Sequence, residues 1–311
     1  MTKDNELFGH PKGLFVLFFT EMWERFSYYG MRAILVLYLV TQTTDANPGL
    51  GWTTGEALAL YGWYTMLVYV ASIPGGWIAD RLIGQKKSVL IGGLTLCVGH
   101  GILAVEEMWA FYSGLGLIIA GVGLLKPNIS TMVGGLYKAG DTRRDRGFTI
   151  FYIGINIGAL LATTVVAVVG QKYGFEYGFG LAGLGMLAGL FIFWSGRKKY
   201  EHVPNINITP AGHERMLFMP RYKVITVLSL FLIPLCYVLI LKNSILIYLL
   251  IAIFVFVVYQ LISAGAKEGK MWRDRMIALT IMMVINIIFW AAFEQAAGSL
   301  PIYTRDFTNR I

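Results

Sequence analysis

The chain has 311 residues, of which 56% are apolar and only 14% charged. A soluble domain carries about 25% charged residues; with a mean hydropathy of +0.62, a soluble enzyme and a disordered chain are both excluded and an integral membrane protein is indicated. The net charge of +8 does not point to nucleic acid, because the basic residues lie in short patches between apolar runs. Cys97 and Cys236, the two cysteines, sit inside such runs, which argues against a disulfide framework.

The N-terminal stretch, Met1 to Gly13, is polar and lacks a short apolar core followed by a small-residue cleavage site, so no signal peptide is expected. A bilayer core takes about 20 apolar residues per helix. Nine runs qualify, over 14–40, 55–80, 86–105, 109–137, 147–170, 177–196, 222–241, 245–266 and 275–303. They are continuous rather than alternating, so an all-helical membrane fold is expected and a β-barrel is not.

Basic residues fix the orientation. One side holds Lys3, Lys12, Arg81, Lys86, Lys87, Lys138, Arg143, Arg144 and Arg146, the six from Arg197 to Lys223, and Lys267, Lys270, Arg273 and Arg275. The other holds Lys172, Lys242, Arg305 and Arg310. The N-terminus is therefore expected in the cytoplasm.

Ionisable groups inside spans cost at least a few kcal/mol each and face a cavity or a partner. The first span carries Glu21, Glu24, Arg25 and Arg32 among Tyr28 and Tyr29. Helical geometry puts 21, 25, 28, 29 and 32 on one broad face, with 24 at its edge and Glu21–Arg25 as an i, i+4 pair. A carboxylate beside cations can exchange its proton against an anionic ligand; a static ion-pair stripe is the plainer reading. The second span adds Tyr61, Tyr64 and Tyr69, side chains with an apolar body and a polar tip.

After it comes Gly76-Trp-Ile-Ala-Asp80-Arg81-Leu-Ile-Gly84, in which glycines permit close helix approach and an aspartate at a helix end can pair with a moving neighbour. It resembles the cytoplasmic gate motif of the major facilitator superfamily. The fourth span holds Lys126 next to Pro127, which frees a backbone carbonyl. Lys126 is too deep to snorkel and needs an anion. The fifth holds Asn156, equally suited to a polar ligand or to a neighbouring helix. The loop from Arg197 to Lys223 separates six spans from a hairpin without charges inside either helix, with Pro234 and Gln260 as its notable features. In the ninth span Glu294 is the best internal partner for Lys126, or a proton carrier. No metal-spaced His/Cys cluster and no Gly-Lys-Ser/Thr phosphate loop is present.

The stretches Glu21-x-x-Glu24-Arg25-Phe-x-Tyr28-Tyr29-Gly30, Lys126-Pro-Asn-Ile-Ser and Phe151-Tyr-x-x-Ile-Asn156-x-Gly, with Glu294-Gln295, resemble the proton-dependent oligopeptide transporters of the major facilitator superfamily, in a bacterial-type member. The resemblance covers essentially the whole chain. It implies proton-driven symport of di- and tripeptides across the inner membrane of a bacterium, with no cofactor beyond the coupling proton and no enzymatic activity. It implies that Glu21, Glu24, Arg25 and Glu294 couple protons. Arg25, Arg32 and Lys126 would meet the peptide carboxylate, while Tyr28, Tyr29, Tyr69 and Asn156 line the pocket. Gly76, Asp80, Arg81 and Gly84 would form the gate. Where animal members carry a functional histidine after the tyrosine matched by Tyr61, this chain has Gly62, so protonation falls to carboxylates.

The resemblance divides the chain into an N-terminal six-helix bundle (1–196), a cytoplasmic linker (197–221), an inserted two-helix hairpin (222–266) and the first helix of a C-terminal bundle (267–311). Family members have two six-helix bundles, so the chain is expected to lack the rest of the second. Three readings follow: a peptide symporter that needs the further helices or association with itself or a full-length homologue, a non-transporting remnant, and a carrier of another small anion such as nitrate. Peptides, protons and the lipid bilayer are its expected partners, and nucleic acid is not.

Overall fold

In the computed structural model, residues 6–203, 215–216, 219–220 and 244–308 are described. The chain divides into two units, Met1–Tyr237 and Val238–Ile311.

The first unit is built around α1 (Lys12–Val40). Its aliphatic residues Leu14, Leu17, Ile34, Leu35 and Leu39 are wholly buried, and burial runs almost all round the helix. A helix apolar on every side belongs inside a bundle, and a bundle's centre is where charges can be shielded from lipid. Just ahead of it, β1 (Glu6–Leu7) and β2 (His10–Pro11) form a two-residue antiparallel ribbon that turns through Phe8 and Gly9.

Helix α2 (Thr54–Ile78) starts at a capping box in which Thr53 Oγ1 accepts from the Glu56 N–H and Glu56 returns a bond to the Thr53 N–H. A π turn, Ala79–Ile83, carries it past the expected end at 80. Gly84, at φ +81°, then reverses the chain directly into α3 (Gln85–Leu103). A side chain rarely adopts that conformation. Helices α4 (Met108–Gly135), α5 (Arg144–Leu161), α6 (Ala167–Lys172) and α7 (Phe175–Ser195) follow in the same unit. A π turn, Ala162–Val166, joins α5 to α6.

Helix α1 packs on α5 and α7, α2 on α4, and α3 on both α4 and α7. Glycines set the closest approaches. A Cβ on Gly75 of α2 would overlap the carbonyl of Gly123 on α4, and one on Gly158 of α5 would overlap the carbonyl of Met22 on α1. Small residues let backbones touch where dispersion has to hold helices together in lipid.

Later in the first unit's sequence, β3 (Arg215–Met216) pairs antiparallel with β4 (Met219–Pro220). The expected span 222–241, with Pro234 and Cys236, lies outside the described residues.

The second unit holds α8 (Ser244–Lys267), α9 (Lys270–Phe293) and α10 (Ser299–Phe307). Gly269, at φ +111°, turns α8 back onto α9. The run expected over 275–303 is not one helix. It begins earlier, at Lys270, and stops at Phe293; a 3₁₀ turn, Glu294–Ala296, precedes α10. Gly298 and Pro301 are the cause: a glycine breaks the helix and proline is tolerated in the first turn of the next. Glu294 therefore stands at a helix end rather than mid-helix.

The fold is all-α. Five described helical segments are long and apolar enough to cross a membrane: Thr54–Ile83, Met108–Gly135, Arg144–Lys172, Phe175–Ser195 and Lys270–Ala296. Helix α1, with 29 residues, is longer than a bilayer core requires, but it carries the charges that occupy the centre of its unit.

Candidate functional site

Arg25 is the hub of the site. Its side chain is 2% exposed, and its Nε lies 2.9 Å from Glu21 Oε1 and 2.6 Å from Glu24 Oε2. The i, i+4 spacing delivers Glu21; Glu24, read from the helical wheel as an edge residue, is the nearer partner. Both carboxylates are buried with it. The contact to Glu21 is a hydrogen bond, whereas that to Glu24 is an ion pair, and among the described residues neither Glu24 oxygen has a hydrogen-bond partner. Glu21 Oε2, Arg25 Nη2 and the hydroxyls of Tyr28 and Tyr64 are likewise buried without one. Such groups cost free energy until a ligand, a proton or water satisfies them.

Two turns along α1, Arg32 donates through Nε to the Tyr61 hydroxyl at 3.1 Å and again through Nη2. Tyr28 and Tyr29 lie within cation–π range of both arginines, with ring centroids 5.7 and 5.9 Å from Arg25 Cζ and 5.4 and 5.8 Å from Arg32 Cζ. Tyr28 is buried and Tyr29 half-buried. Lys126 Nζ sits 4.5 Å from the centre of the Tyr69 ring, and its charge acts on Glu21, Glu24, Arg25 and Arg32. Two carboxylates and three cations thus share one field, an excess of positive charge that an anionic ligand would complete.

Asn128, in the Lys126-Pro-Asn stretch, is a residue that sequence reasoning missed. Its Nδ2 donates to Leu124 O at 2.7 Å on its own helix and to Gly75 O at 3.4 Å across to α2. The signal was available, since an asparagine one residue after a mid-span proline is placed to serve the carbonyls around the break. Tyr61 was noted in sequence among the aromatic residues of the second span, but not its pairing with Arg32, which lies 29 positions away. Asn156, by contrast, is exposed and donates at 2.9 Å to Tyr152 O within α5.

In the gate stretch, Asp80 Oδ1 accepts from Gln85 Nε2 at 3.0 Å across the Gly84 reversal, and Asp80 and Arg81 are exposed. Gly76 is roomy, its Cβ position 3.9 Å from the nearest atom; the tight helix approach belongs to Gly75. Gln85 also lines a cavity of about 700 Å³ with Ser130, Thr131, Tyr137 and Arg144 at the end of α4. Glu294 lies in the second unit, at the start of the 3₁₀ turn that follows α9. Among the described residues no group of three or more His, Cys, Asp and Glu could hold a metal ion.

A second polar cluster, unforeseen in sequence, holds the N-terminal ribbon. His10 Nδ1 and the Tyr137 hydroxyl are 2.8 Å apart. Arg143 Nη1 donates to Glu6 Oε1 at 2.9 Å and to Gly9 O at 3.0 Å, while its Nε and Nη2 grip both oxygens of Asp141. These hydrogen bonds hold the Asp141 carboxyl at about 2. Burial, and then the charges of Arg143 and Arg146, lower the His10 imidazole below its ordinary value against the opposing pull of Asp141 and Glu6.

A bundle of apolar helices around a buried, charged and partly unsatisfied centre is the architecture of a multi-pass membrane protein. Residues 86–311 match the POT family, and the chain belongs to it. It is 44% identical over 299 residues to an uncharacterized transporter, YclF, of Bacillus subtilis (strain 168), a match over 95% of this chain and 60% of that protein. It is 39% identical over 319 residues to the di-/tripeptide transporter of Lactococcus lactis subsp. lactis (strain IL1403), over 98% of this chain and 63% of the relative. The crystal structure of a peptide transporter POT in complex with sulfate superposes with a TM-score of 0.82 at 40% identity, covering 97% of this chain and 62% of that one. The chain thus spans about three fifths of the length of the relatives it matches.

Proposed function

We propose that this chain supplies the proton-coupling and carboxylate-binding wall of a symporter for di- and tripeptides in the inner membrane of a bacterium, with its N-terminus in the cytoplasm. The observation that carries the reading is the buried Glu21–Arg25–Glu24 cluster, in which one guanidinium serves two carboxylates whose remaining oxygens are unsatisfied. A peptide carboxylate attracted by Arg25, Arg32 and Lys126 would compete with Glu24 for Arg25. A glutamate that loses its cation in a buried site takes up a proton. Peptide and proton then enter together, and the aromatic rings of Tyr28, Tyr29 and Tyr69 receive side chains of varied shape. Asn156 and the Gly76–Gly84 gate complete the set on the strength of the family resemblance.

Alternating access needs one bundle to rock against another around a midplane site. We therefore expect transport to require helices such as those in the part of the relatives that lies beyond the match, with Glu294 as the counter-charge that the family resemblance suggests for Lys126. The three cations also suit a smaller anion, which keeps nitrate as a second reading.

The test is uptake of radiolabelled di-alanine into proteoliposomes under an inward proton gradient, with this chain alone and with one extended to its relatives' full length. Saturable uptake that stops when the gradient is collapsed is expected of the extended chain. Glu24→Gln should reduce it to background while leaving peptide counterflow. Uptake indifferent to the gradient would sink the coupling, and competition by nitrate but not by di-alanine would move the substrate to the second reading.

A further inference from the structure

A strongly basic groove lies in the first unit away from the buried cluster, where α7 ends and α3 begins. Lys86, Lys87, Arg197 and Lys198 line it against one acidic residue, Glu201, around a cavity of about 380 Å³. The wall is built rather than loose. Tyr200 stacks on Phe193 with ring centroids 4.9 Å apart and donates its hydroxyl to Phe193 O at 2.8 Å. Lys86 Nζ donates to Glu201 O at 2.7 Å, tying the start of α3 to the turn beyond α7. Arg197 lies over the Trp194 ring at 4.7 Å and donates to the Trp194 carbonyl. Lys87, Arg197 and Lys198 stay exposed.

What leads into the groove distinguishes it from an ordinary charged surface. On α7, Leu184, Leu187, Phe191 and Trp194 are exposed at spacings of three and four, forming one apolar stripe that ends at Arg197. On α3, which packs against α7, Leu94 and Val98 are exposed on the flank above Lys87. Apolar stripes on spanning helices meet acyl chains, tryptophan favours the level of the headgroups, and basic pockets at helix ends attract anionic lipid. Cations at the end of a lipid-facing surface meet a headgroup before they meet a soluble anion.

We propose that this groove binds the headgroup of an anionic phospholipid, whose acyl chains lie along the exposed stripes of α3 and α7. The inference is independent of the peptide reading, because none of its residues belongs to the Glu21–Arg25–Glu24 cluster.

The experiment is native mass spectrometry of the full chain in mild detergent, titrated with phosphatidylglycerol or phosphatidylcholine. Phosphatidylglycerol should be retained at least about tenfold more strongly. Changing Lys87→Gln, Arg197→Gln and Lys198→Gln together should bring the ratio close to one, while Lys138→Gln with Arg146→Gln, outside the groove, should leave it intact. Equal retention of the two lipids, or a preference that survives the triple change, overturns the proposal. Displacement of phosphatidylglycerol by inorganic phosphate would assign the cations to a soluble anion and overturn it as well. Should the triple variant fail to fold, the unaltered chain still decides. Phosphatidylglycerol brominated on its acyl chains should quench the fluorescence lost in Trp194→Phe more than brominated phosphatidylcholine does, and equal quenching would sink the idea.

Discussion

Arg25 holds two buried carboxylates through a single nitrogen, and that geometry fixes what its removal does. Arg25→Met leaves Glu21 and Glu24 buried without their cation, a change that costs about 3 kcal/mol or more. The unfolding midpoint in detergent should fall clearly, and adding Glu21→Gln and Glu24→Gln should recover much of the loss. An Arg25→Met chain as stable as the original would mean the cluster is solvated and its role misread. His10 offers a pH-dependent contact outside the membrane. Its folded-state imidazole is lowered below 6.5, so the folded form resists protonation more than the unfolded one. Its contribution is complete above the unfolded value and declines as pH falls below it. The protection factors of the amides at residues 6–10, that is exchange corrected for its intrinsic pH dependence, should therefore fall between pH 7.5 and pH 5, and His10→Gln should remove the step. Protection factors that do not change with pH in the original chain would discount His10.

At the scale of elements, the contact between α2 and α4 rests on backbone meeting backbone. A Cβ at Gly75 would overlap the Gly123 carbonyl, whereas a Cβ at Gly76 has its nearest neighbour at 3.9 Å. Gly75→Ala forces two helices apart and should destabilise by about 1–3 kcal/mol, with a lower yield of monodisperse protein. Gly76→Ala should stay within about 0.5 kcal/mol. The reverse ranking would place the close approach elsewhere. Sequence spacing singled out Gly76 because the gate motif contains it; the helical phase that turns its neighbour toward α4 is a property of the packed pair. Likewise the run 275–303 reads as one span by hydropathy alone, although Gly298 and Pro301 divide it and leave Glu294 at a helix end.

At the scale of the molecule, the first unit buries Glu21, Glu24, Arg25 and Arg32 of α1, while the second leaves none of α9 buried. Apolar helices so exposed need lipid or further helices. On the proposed mechanism, the 311 residues alone should bind di-alanine weakly and fail to accumulate it, while the extended chain accumulates it against a gradient. Calorimetric titration and proteoliposome uptake, run side by side, separate the two. Accumulation by the 311 residues alone would show that one bundle suffices.

Composition and hydropathy settled the all-helical membrane class, because continuous apolar runs have no stable place except inside helices in lipid. The charged stripe of α1 was legible from the period of the helix, and the need of Lys126 for an anion from the cost of a buried charge, although the sequence reading named Glu294 rather than the α1 carboxylates as that anion. Tertiary structure alone decided that Glu24 is nearer Arg25 than Glu21 is, that Tyr61 answers Arg32, that Asn128 bridges α4 to α2, and that His10 and Arg143 fasten the N-terminal ribbon. These pairings join residues on different elements or depend on which rotamer fits between packed helices. Periodicity along one helix carries the direction a side chain leaves the axis, but not what another helix brings to meet it.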